Sequence, residues 1–185
     1  MQNKLRIIGG EWRSRVITFD DQPDLRPTPQ RVRETLFNWL QPALLGSHCL
    51  DLFSGSGALG FEAASRGAKQ VTQVEYNPQA VRKLQANAKS LQANQVAIVP
   101  MDVLRFLTGP AQTYDIVFLD PPFASDCAEQ VCALLEQHGW LNADALCYIE
   151  VPAKRPLKVM PANWQPLKYK TAGEVGYHLY IRNQY

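Results

Sequence analysis

Short apolar runs of strand character alternate with segments of helical periodicity through most of this 185-residue chain, and this alternation limits the fold more than any other feature. Residues 49–53, for example, form an apolar run that stops at a glycine-rich loop, and a helical pattern begins at Ala58. Repeated strand–loop–helix units place their strands in parallel, with helices on both faces of the sheet. The sequence therefore predicts an α/β fold built on a doubly wound, mostly parallel sheet.

Glycine, asparagine and proline mark the ends of the predicted elements in this alternating part. Gly67 ends the first helix, and Asn77 and Pro78 supply a cap and a first-turn proline for the second. The predicted strands cover residues 49–53, 71–75, 96–99, 116–119 and 146–151. The predicted helices cover residues 58–66, the segment from Asn77 to Leu91, residues 103–107 and residues 128–137.

The N-terminal part of the chain does not follow this alternation. Residues 5–8 and 16–19 predict two strands of a β-hairpin. Thr28 is expected to cap a following amphipathic helix over residues 29–41, with Pro29 at its first position and Pro42 just beyond its end.

The C-terminal part also differs from the central pattern. Residues 166–170 and 177–182 predict a second hairpin, which would add antiparallel strands to one edge of the sheet. We therefore expect an N-terminal hairpin and helix extension over residues 1–45, followed by a domain over residues 46–185.

The composition is typical of a soluble globular protein, with 46% hydrophobic and 19% charged residues. No run approaches the roughly 20 apolar residues that cross a membrane, and the N-terminus has no apolar targeting stretch. The cysteines show no CxxC spacing and lie in apolar segments, so we expect buried, reduced thiols and a cytoplasmic protein. These cysteines are Cys49, Cys127, Cys132 and Cys147.

The formal net charge of +2 hides an uneven distribution. Basic residues outnumber acidic ones in residues 1–45 and 151–185, whereas residues 46–150 are acidic. If both basic ends lie on one face, they form a patch that can bind phosphates. Solvated surface arginine and lysine explain the same pattern equally well.

The stretch "LDLFSGSGALG" joins the first central strand to its helix and carries the first candidate ligand contacts. Gly55, Gly57 and Gly60 permit a tight turn and a close approach of a ligand to the backbone. Glu75 ends the next strand, where a carboxylate can accept both hydroxyls of a ribose. Asp102, just after the third strand, is expected at the purine end of the same ligand.

The glycine loop alone is compatible with a plain strand–helix turn, a nicotinamide dinucleotide site or an S-adenosylmethionine site. Asp51 at the strand end would repel a pyrophosphate, but it can bind the positively charged amino group of the methionine part. The later motif "DPPF" has no use in hydride transfer. These two observations favour S-adenosylmethionine.

The stretch "DIVFLDPPFAS" ends a buried strand with a carboxylate, two prolines and an aromatic ring. The prolines cannot continue the strand, because neither has an N–H for the ladder. The exocyclic amine of a base is a weak nucleophile, so an enzyme must orient it; Asp120 and the carbonyl of Pro121 can accept its two N–H bonds. Phe123 can stack on the base. The alternative is a strand-ending turn with a buried phenylalanine.

These motifs resemble those of the class I S-adenosylmethionine-dependent methyltransferases, which have a Rossmann-like sheet. The further stretches "RIIGGEWRSR" and "LRPTPQRVRETLFNWL" resemble the RsmD family, and the resemblance covers essentially the whole chain. It implies transfer of a methyl group to the exocyclic N2 of a guanine in 16S ribosomal RNA. The implied partner is that RNA within the small ribosomal subunit or its assembly intermediate, and we expect a monomer.

The residue arguments and the resemblance together give a set of candidate site residues. No metal site is predicted, because the histidines have no ligand-like spacing. The predicted cofactor contacts are Asp51, Gly55, Gly57, Gly60, Glu75, Tyr76, Asp102 and Val103. The predicted catalytic residues are Asp120, Pro121 and Phe123, and Pro122 and Phe123 are also expected to contact the base.

Arg26, Thr28 and Arg33 are predicted to contact the RNA substrate. The planar guanidinium of arginine suits phosphate oxygens. In the alternative interpretation, Arg33 forms a surface ion pair on its helix and Arg26 braces the turn that contains Pro27.

Two other functions stay open on the residues alone. Motifs of the DPPF type also serve adenine N6 amines, so an adenine-N6 methyltransferase acting on nucleic acid is one alternative. The other is a non-catalytic RNA-binding assembly factor that keeps the fold. The intact Asp120–Phe123 motif argues against the second, and only the family resemblance selects guanine.

Overall fold

The computed structural model of the protein describes residues 1–23 and 25–184. Within these residues the elements follow the chain as β1 (Gln2–Arg6), β2 (Val16–Asp20), α1 (Gln30–Leu44), β3 (His48–Leu52), α2 (Ala58–Ser65), β4 (Gln70–Glu75), α3 (Pro78–Leu91), β5 (Val96–Pro100), α4 (Val103–Leu107), β6 (Tyr114–Leu119), α5 (Ala128–Gln137), β7 (Leu141–Pro152), β8 (Trp164–Ala172) and β9 (Val175–Arg182).

The central sheet has seven strands in the order β5-β4-β3-β6-β7-β9-β8. Strands β3 to β7 pair in parallel, whereas β9 is antiparallel to β7 and β8 is antiparallel to β9. The strand order reverses at β3, because β4 and β5 lie on one side of it and β6 lies on the other. The predicted mostly parallel, doubly wound sheet with a C-terminal antiparallel hairpin is confirmed. The predicted N-terminal hairpin is also present, as a separate pair of β1 and β2.

Alternate residues of the central strands enter two hydrophobic clusters, one on each face of the sheet. Phe118 packs against Phe37 of α1, with ring centroids 5.8 Å apart. Val117 and Leu119 belong to the opposite cluster, together with Leu135 of α5. Helices α1, α2 and α3 therefore cover one face, and α4 and α5 cover the other. Since both faces are covered, β6 needs the continuous apolar sequence that it has.

Glu62 of α2 fastens the N-terminal extension to the rest of the molecule. Its side chain is 0% exposed, and its carboxylate oxygens accept hydrogen bonds from the backbone N–H groups of Ile8 and Gly9, both at 2.9 Å. The Nε of Arg66 donates to the same carboxylate at 2.9 Å, and Nη1 of the buried Arg33 lies 3.9 Å from it. Because the buried Glu62 carboxylate is bonded to backbone N–H groups and paired with arginine, it holds the extension against α2.

The extension shares its hydrophobic core with the sheet. Ile17 of β2 and Leu36 of α1 are fully buried in the same cluster as Phe61 of α2. The division into residues 1–45 and 46–185 remains a prediction about function, and the packing between the two parts is continuous.

Both ends of α1 differ from their predictions. The helix continues through Pro42 to Leu44, and Pro42 lacks the N–H that would bond the carbonyl of Asn38 in the last turn. Thr28 does not cap the helix: Pro29 occupies the N-cap position, and the Thr28 hydroxyl donates to Glu150 instead. The predicted cap and the predicted end of this helix were therefore wrong.

Other boundaries shift by a few residues. Strand β1 covers Gln2–Arg6, and residues 7–15 form the connection to β2. Strand β7 begins at Leu141, five residues earlier than predicted, and its pairing with β6 is interrupted by an irregularity between Tyr114 and Ile116. The predicted cap of α3 is confirmed, since Asn77 Oδ1 accepts hydrogen bonds from two N–H groups of the first turn.

The four cysteines are free thiols. Cys49, Cys132 and Cys147 are buried as predicted, whereas Cys127 is half-buried. Burial raises the pKa of the Cys49 thiol to about 12, so this thiol stays protonated and unreactive at neutral pH. Among the described residues, no helix is long and apolar enough to cross a lipid bilayer.

We expect Glu62→Ala to lower the free energy of unfolding by about 3 kcal/mol, because it removes the partner of a buried guanidinium and leaves two N–H groups unbonded. Urea denaturation measures this change. Glu34→Ala, which removes an exposed carboxylate from α1, serves as the control and should change the value by less than about 0.5 kcal/mol. Equal effects of the two variants would contradict the anchoring role of Glu62.

Candidate active site

A cavity of about 1140 Å³ opens beyond the carboxyl ends of the parallel strands, where the strand order reverses. Four adjacent strands each bring one carboxylate to it: Asp51 in β3, Glu75 in β4, Asp120 just after β6 and Glu150 in β7. Residues 21–23 and 25–29 line one wall, and residues 121–125 line another. The volume suffices for a cofactor together with part of a substrate.

Glu75 holds the glycine loop in place. Its Oε2 accepts a hydrogen bond from the N–H of Gly55 at 2.8 Å, and its Oε1 accepts one from the N–H of Asn77 at 3.0 Å. Each oxygen keeps a lone pair for a further donor. The carboxylate therefore orders the loop and can still accept ribose hydroxyls, as the sequence predicts.

Asp51 is 2% exposed, and its Oδ2 accepts a hydrogen bond from the N–H of Gly60 at 3.1 Å. Burial raises the pKa of Asp51 to about 7, and the nearby Glu75 adds to this increase, although the bond from Gly60 opposes it. A bound cation would stabilise the ionised form. The position therefore suits a ligand with a positively charged amino group.

Gly57 and Gly60 serve packing and do not line the cavity. Gly57 has a φ of 80°, and a Cβ there would lie 2.5 Å from Leu84 Cδ2. A Cβ on Gly60 would lie 2.4 Å from the side-chain nitrogen of Gln73. Gly60 therefore allows α2 to approach β3 and β4, and Gly57 leaves room for Leu84 of α3, whereas Gly55 lines the cavity. The direct cofactor contacts of Gly57 and Gly60 stay predictions.

The adenine side of the predicted cofactor site combines the exposed residues Tyr76 and Asp102 with the buried Val103. Tyr76 is 68% exposed and lines the cavity, as do Asp102 and Val103. Asp102 caps α4, because its Oδ1 accepts a hydrogen bond from the N–H of Arg105 at 3.1 Å. The structure brings all three residues to the same cavity, and their contacts with a cofactor stay predictions.

The Asp120–Phe123 motif forms the opposite wall. Asp120 is half-buried, Pro121 is buried and Phe123 is 46% exposed. A turn follows, in which the N–H of Ser125 donates to the carbonyl of Pro122 at 2.8 Å. The phenylalanine is not buried, contrary to what a plain strand-ending turn would require. It is therefore free to stack on a planar ligand.

Arg155 holds this motif from a distant part of the chain. Its guanidinium donates to the backbone carbonyl of Phe123 and pairs with Asp126 at 2.6 Å. Nothing in the local sequence around Arg155 indicates this contact, because the partner lies 32 residues earlier.

Glu150 is a second residue that the sequence did not single out. It is buried beside Asp120, and its Oε1 accepts hydrogen bonds from the hydroxyls of Thr28 at 2.9 Å and Tyr148 at 2.6 Å. Burial raises the pKa of Asp120 well above its ordinary value, and the carboxyl groups of Glu150 and Asp51 raise it further.

The three predicted substrate contacts have different surroundings. Arg26 is exposed and lines the cavity, and among the described residues it has no ion-pair partner. Thr28 also lines the cavity, and its hydroxyl donates a hydrogen bond to Glu150. Arg33 is only 3% exposed, and its guanidinium donates to the carbonyls of Thr28 and Arg6, both at 3.1 Å. The predicted RNA contact of Arg33 was wrong, because its donors are used inside the protein.

The fold and this site define a class I methyltransferase architecture. A family model described as "Conserved hypothetical protein 95" matches residues 5–181. Ribosomal RNA small subunit methyltransferase D of Escherichia coli K12 is 45% identical over 179 residues, covering 97% of this chain and 90% of the relative. The protein of the same name from Haemophilus influenzae is also 45% identical, covering 97% of this chain and 94% of the relative.

Solved structures agree with these sequence matches. A candidate methyltransferase of Escherichia coli superposes with a TM-score of 0.92 at 42% identity, covering 98% of this chain and 99% of that chain. A candidate methylase of Haemophilus influenzae gives a TM-score of 0.85 at 42% identity, covering 98% and 100%. The chain belongs to the RsmD family of ribosomal RNA methyltransferases, and the family resemblance of its sequence motifs is confirmed.

The affinity for S-adenosylmethionine is expected to fall as the pH drops through 7. Asp51 must be ionised to bind the amino group, and its raised pKa leaves it mostly neutral at pH 6 in the empty protein. The dissociation constant should therefore be about fourfold higher at pH 6 than at pH 8, since the amino group of the ligand itself begins to lose its proton near pH 8. Isothermal titration calorimetry measures this difference.

Asp51→Asn should bind weakly at both pH values and lose the dependence, whereas Asp20→Asn, outside the cavity, should behave like the unmodified protein. A dissociation constant that is the same at pH 6 and pH 8 in all three proteins would contradict the assignment of Asp51.

Proposed function

We propose that the protein transfers the methyl group of S-adenosylmethionine to the exocyclic N2 amine of one guanine in 16S ribosomal RNA. One observation carries the proposal: a single cavity contains both a carboxylate edge suited to the cofactor and the Asp120–Phe123 motif suited to a base amine. Membership of the RsmD family supports the reaction and the RNA substrate.

The cofactor would bind along the ends of β3, β4 and β5. Asp51 would bind the amino group of the methionine part, and Glu75 would accept the ribose hydroxyls. Asp102 and Tyr76 would lie at the adenine. S-adenosylmethionine carries a positive sulfonium and a positive amino group, and the acidic edge complements both charges.

The base would enter from the side of the Asp120–Phe123 motif. Asp120 and the backbone carbonyl of Pro121 would accept the two N–H bonds of the amine, and Phe123 would stack on the ring. Both bonds strengthen as the amine nitrogen becomes positive in the transition state. Holding the amine in line with the sulfonium methyl group supplies a further part of the rate enhancement.

The choice of guanine rests on the family relationship. Hydrogen-bond acceptors for an amine do not distinguish guanine N2 from adenine N6, and both amines have the same two N–H groups. Relatives named for ribosomal RNA of the small subunit support that RNA as the substrate, and only the resemblance of the sequence motifs to the RsmD family selects guanine over adenine. We expect the protein to act as a monomer in the cytoplasm, on the small subunit or its assembly intermediate.

RNA would approach along the segment between β2 and α1. Arg26 lies on the wall of the cavity with an exposed guanidinium, which suits a phosphate next to the flipped base. In this proposal residues 1–45 form the RNA-contacting part, and residues 46–185 bind the cofactor and carry the catalytic motif.

The proposal predicts that the protein transfers labelled methyl groups from S-adenosylmethionine to small ribosomal subunits that lack native modifications. Digestion to nucleosides and chromatography should give N2-methylguanosine only. Asp120→Ala should reduce the rate at least about 100-fold, because it removes an acceptor that acts in the transition state. Glu34→Ala should leave the rate unchanged.

Each other product has a definite meaning. N6-methyladenosine would overturn the guanine assignment and favour the adenine alternative. Tight RNA binding without any methyl transfer would favour the non-catalytic assembly factor.

Replacing Arg26 by Ala should weaken RNA binding. It should also reduce the slope of log affinity against log salt concentration by about the amount expected for one lost phosphate contact. Fluorescence anisotropy with labelled RNA at several salt concentrations measures both effects. Arg82→Ala, which removes an exposed arginine of α3 outside the cavity, is the matched control. Identical salt slopes for the two variants would show that Arg26 does not contact a phosphate.

A further inference from the structure

Glu150 stands next to Asp120 on the neighbouring strand. The parallel register pairs Leu119 of β6 with Ile149 of β7, so the residues that follow them are neighbours as well. Adjacent strands lie about 4.8 Å apart, which brings the two side chains within reach of each other at the same edge. Both side chains line the cavity.

The two carboxyl groups repel each other when both are ionised, and the Glu150 carboxyl is, after burial, one of the causes that raise the pKa of Asp120. A proton shared between the two groups would remove this repulsion and supply the donor that two carboxylates lack. The hydroxyls of Thr28 and Tyr148 both donate to Glu150 Oε1, so a proton shared with Asp120 would bind Glu150 at its other oxygen. When Asp120 carries the shared proton, its second oxygen remains an acceptor for a ligand.

We propose that Glu150 is the positioning residue that receives, through Asp120, the proton released by methyl transfer. This inference rests on the proposed function. The amine nitrogen forms a bond to the methyl carbon, and the carbon–sulfur bond breaks with its electron pair returning to sulfur. The methylated nitrogen then gives one proton to the free oxygen of Asp120, while the hydroxyl proton of Asp120 moves to Glu150.

The charges around the pair support this direction of transfer. Burial and the neighbouring carboxylates raise the pKa of Asp120, which favours its neutral form before the step. The pair carries one negative charge before the step and none after it, which balances the positive charge lost by the nitrogen. The titratable or charged groups around it are Asp51, Glu75 and Tyr148, with Tyr177 beyond Tyr148, and Arg26, Arg155 and Glu174 on the cavity walls.

Single-turnover methyl transfer by Glu150→Gln, measured from pH 5 to 9, tests the inference. Gln keeps the shape of the side chain but cannot take a proton, so the rate at pH 8 should fall about 10- to 100-fold with unchanged cofactor and RNA affinities. The acid limb of the pH profile should move to lower pH, because Asp120 loses the repulsion of a second carboxylate.

Two further variants complete the test. Glu150→Asp keeps a carboxylate and should retain most of the rate and the acid limb. Tyr148→Phe removes one donor to the Glu150 carboxylate and should move the acid limb in the opposite direction, to higher pH. This variant keeps the inference testable if Glu150→Gln does not fold. Glu34→Gln, the same chemical change at an exposed site, should alter nothing.

The outcomes separate the inference from the function on which it depends. The first case is an unmodified protein that transfers methyl groups and a Glu150→Gln variant whose pH profile shows no shift, whether or not its rate is lower. This result would overturn the proton transfer and leave the methyltransferase function intact. An unmodified protein that transfers no methyl group to RNA would overturn both.

Discussion

The site depends on the parallel register of four neighbouring strands, because this register brings one carboxylate from each of them to the same edge of the sheet. Asp51, Glu75, Asp120 and Glu150 would repel one another in an isolated cluster. Backbone N–H groups of the glycine loop, together with the hydroxyls of Thr28 and Tyr148, offset part of this repulsion. Burial and the remaining repulsion together raise the pKa values of Asp51 and Asp120. An edge of this kind is complementary to a ligand with two positive charges.

The N-terminal extension is coupled to this edge through a chain of buried polar contacts. Glu62 holds the backbone of Ile8 and Gly9, and Arg33 binds the carbonyl of Thr28. The Thr28 hydroxyl in turn reaches Glu150. The extension therefore does more than supply a surface for RNA, since it contributes one of the donors that orient the carboxyl pair. A change in the extension is expected to affect the chemical step as well as RNA binding.

Patterns within single segments were sufficient to predict the sheet, the glycine loop and the exposed end of β6. The strand runs, the Asn77 cap and the two prolines act locally, so their consequences can be inferred from a few neighbouring residues. The burial of Arg33 could have been inferred too. It stands four residues before Phe37 and seven before Leu40, on the buried stripe of α1. The predicted phosphate contact of Arg33 rested only on the chemistry of the guanidinium.

Other features needed the three-dimensional arrangement. The part played by Glu150 depends on β7 lying next to β6, and that of Arg155 depends on a contact across 32 residues. Gly57 and Gly60 matched a ligand-binding pattern, yet their space is taken by Leu84 and Gln73. Sequence spacing predicted that small residues were required there, but it could not tell close packing from close approach of a ligand.

The central claim is that one cavity holds the methyl donor beside the amine-binding motif. A crystal structure with S-adenosylhomocysteine tests it most directly. The account predicts the amino group about 3 Å from Asp51, the ribose hydroxyls on Glu75 and the sulfur facing the space in front of Asp120. A product bound in the reverse direction, with its ribose at Asp51 or its sulfur turned away from Asp120, would contradict it.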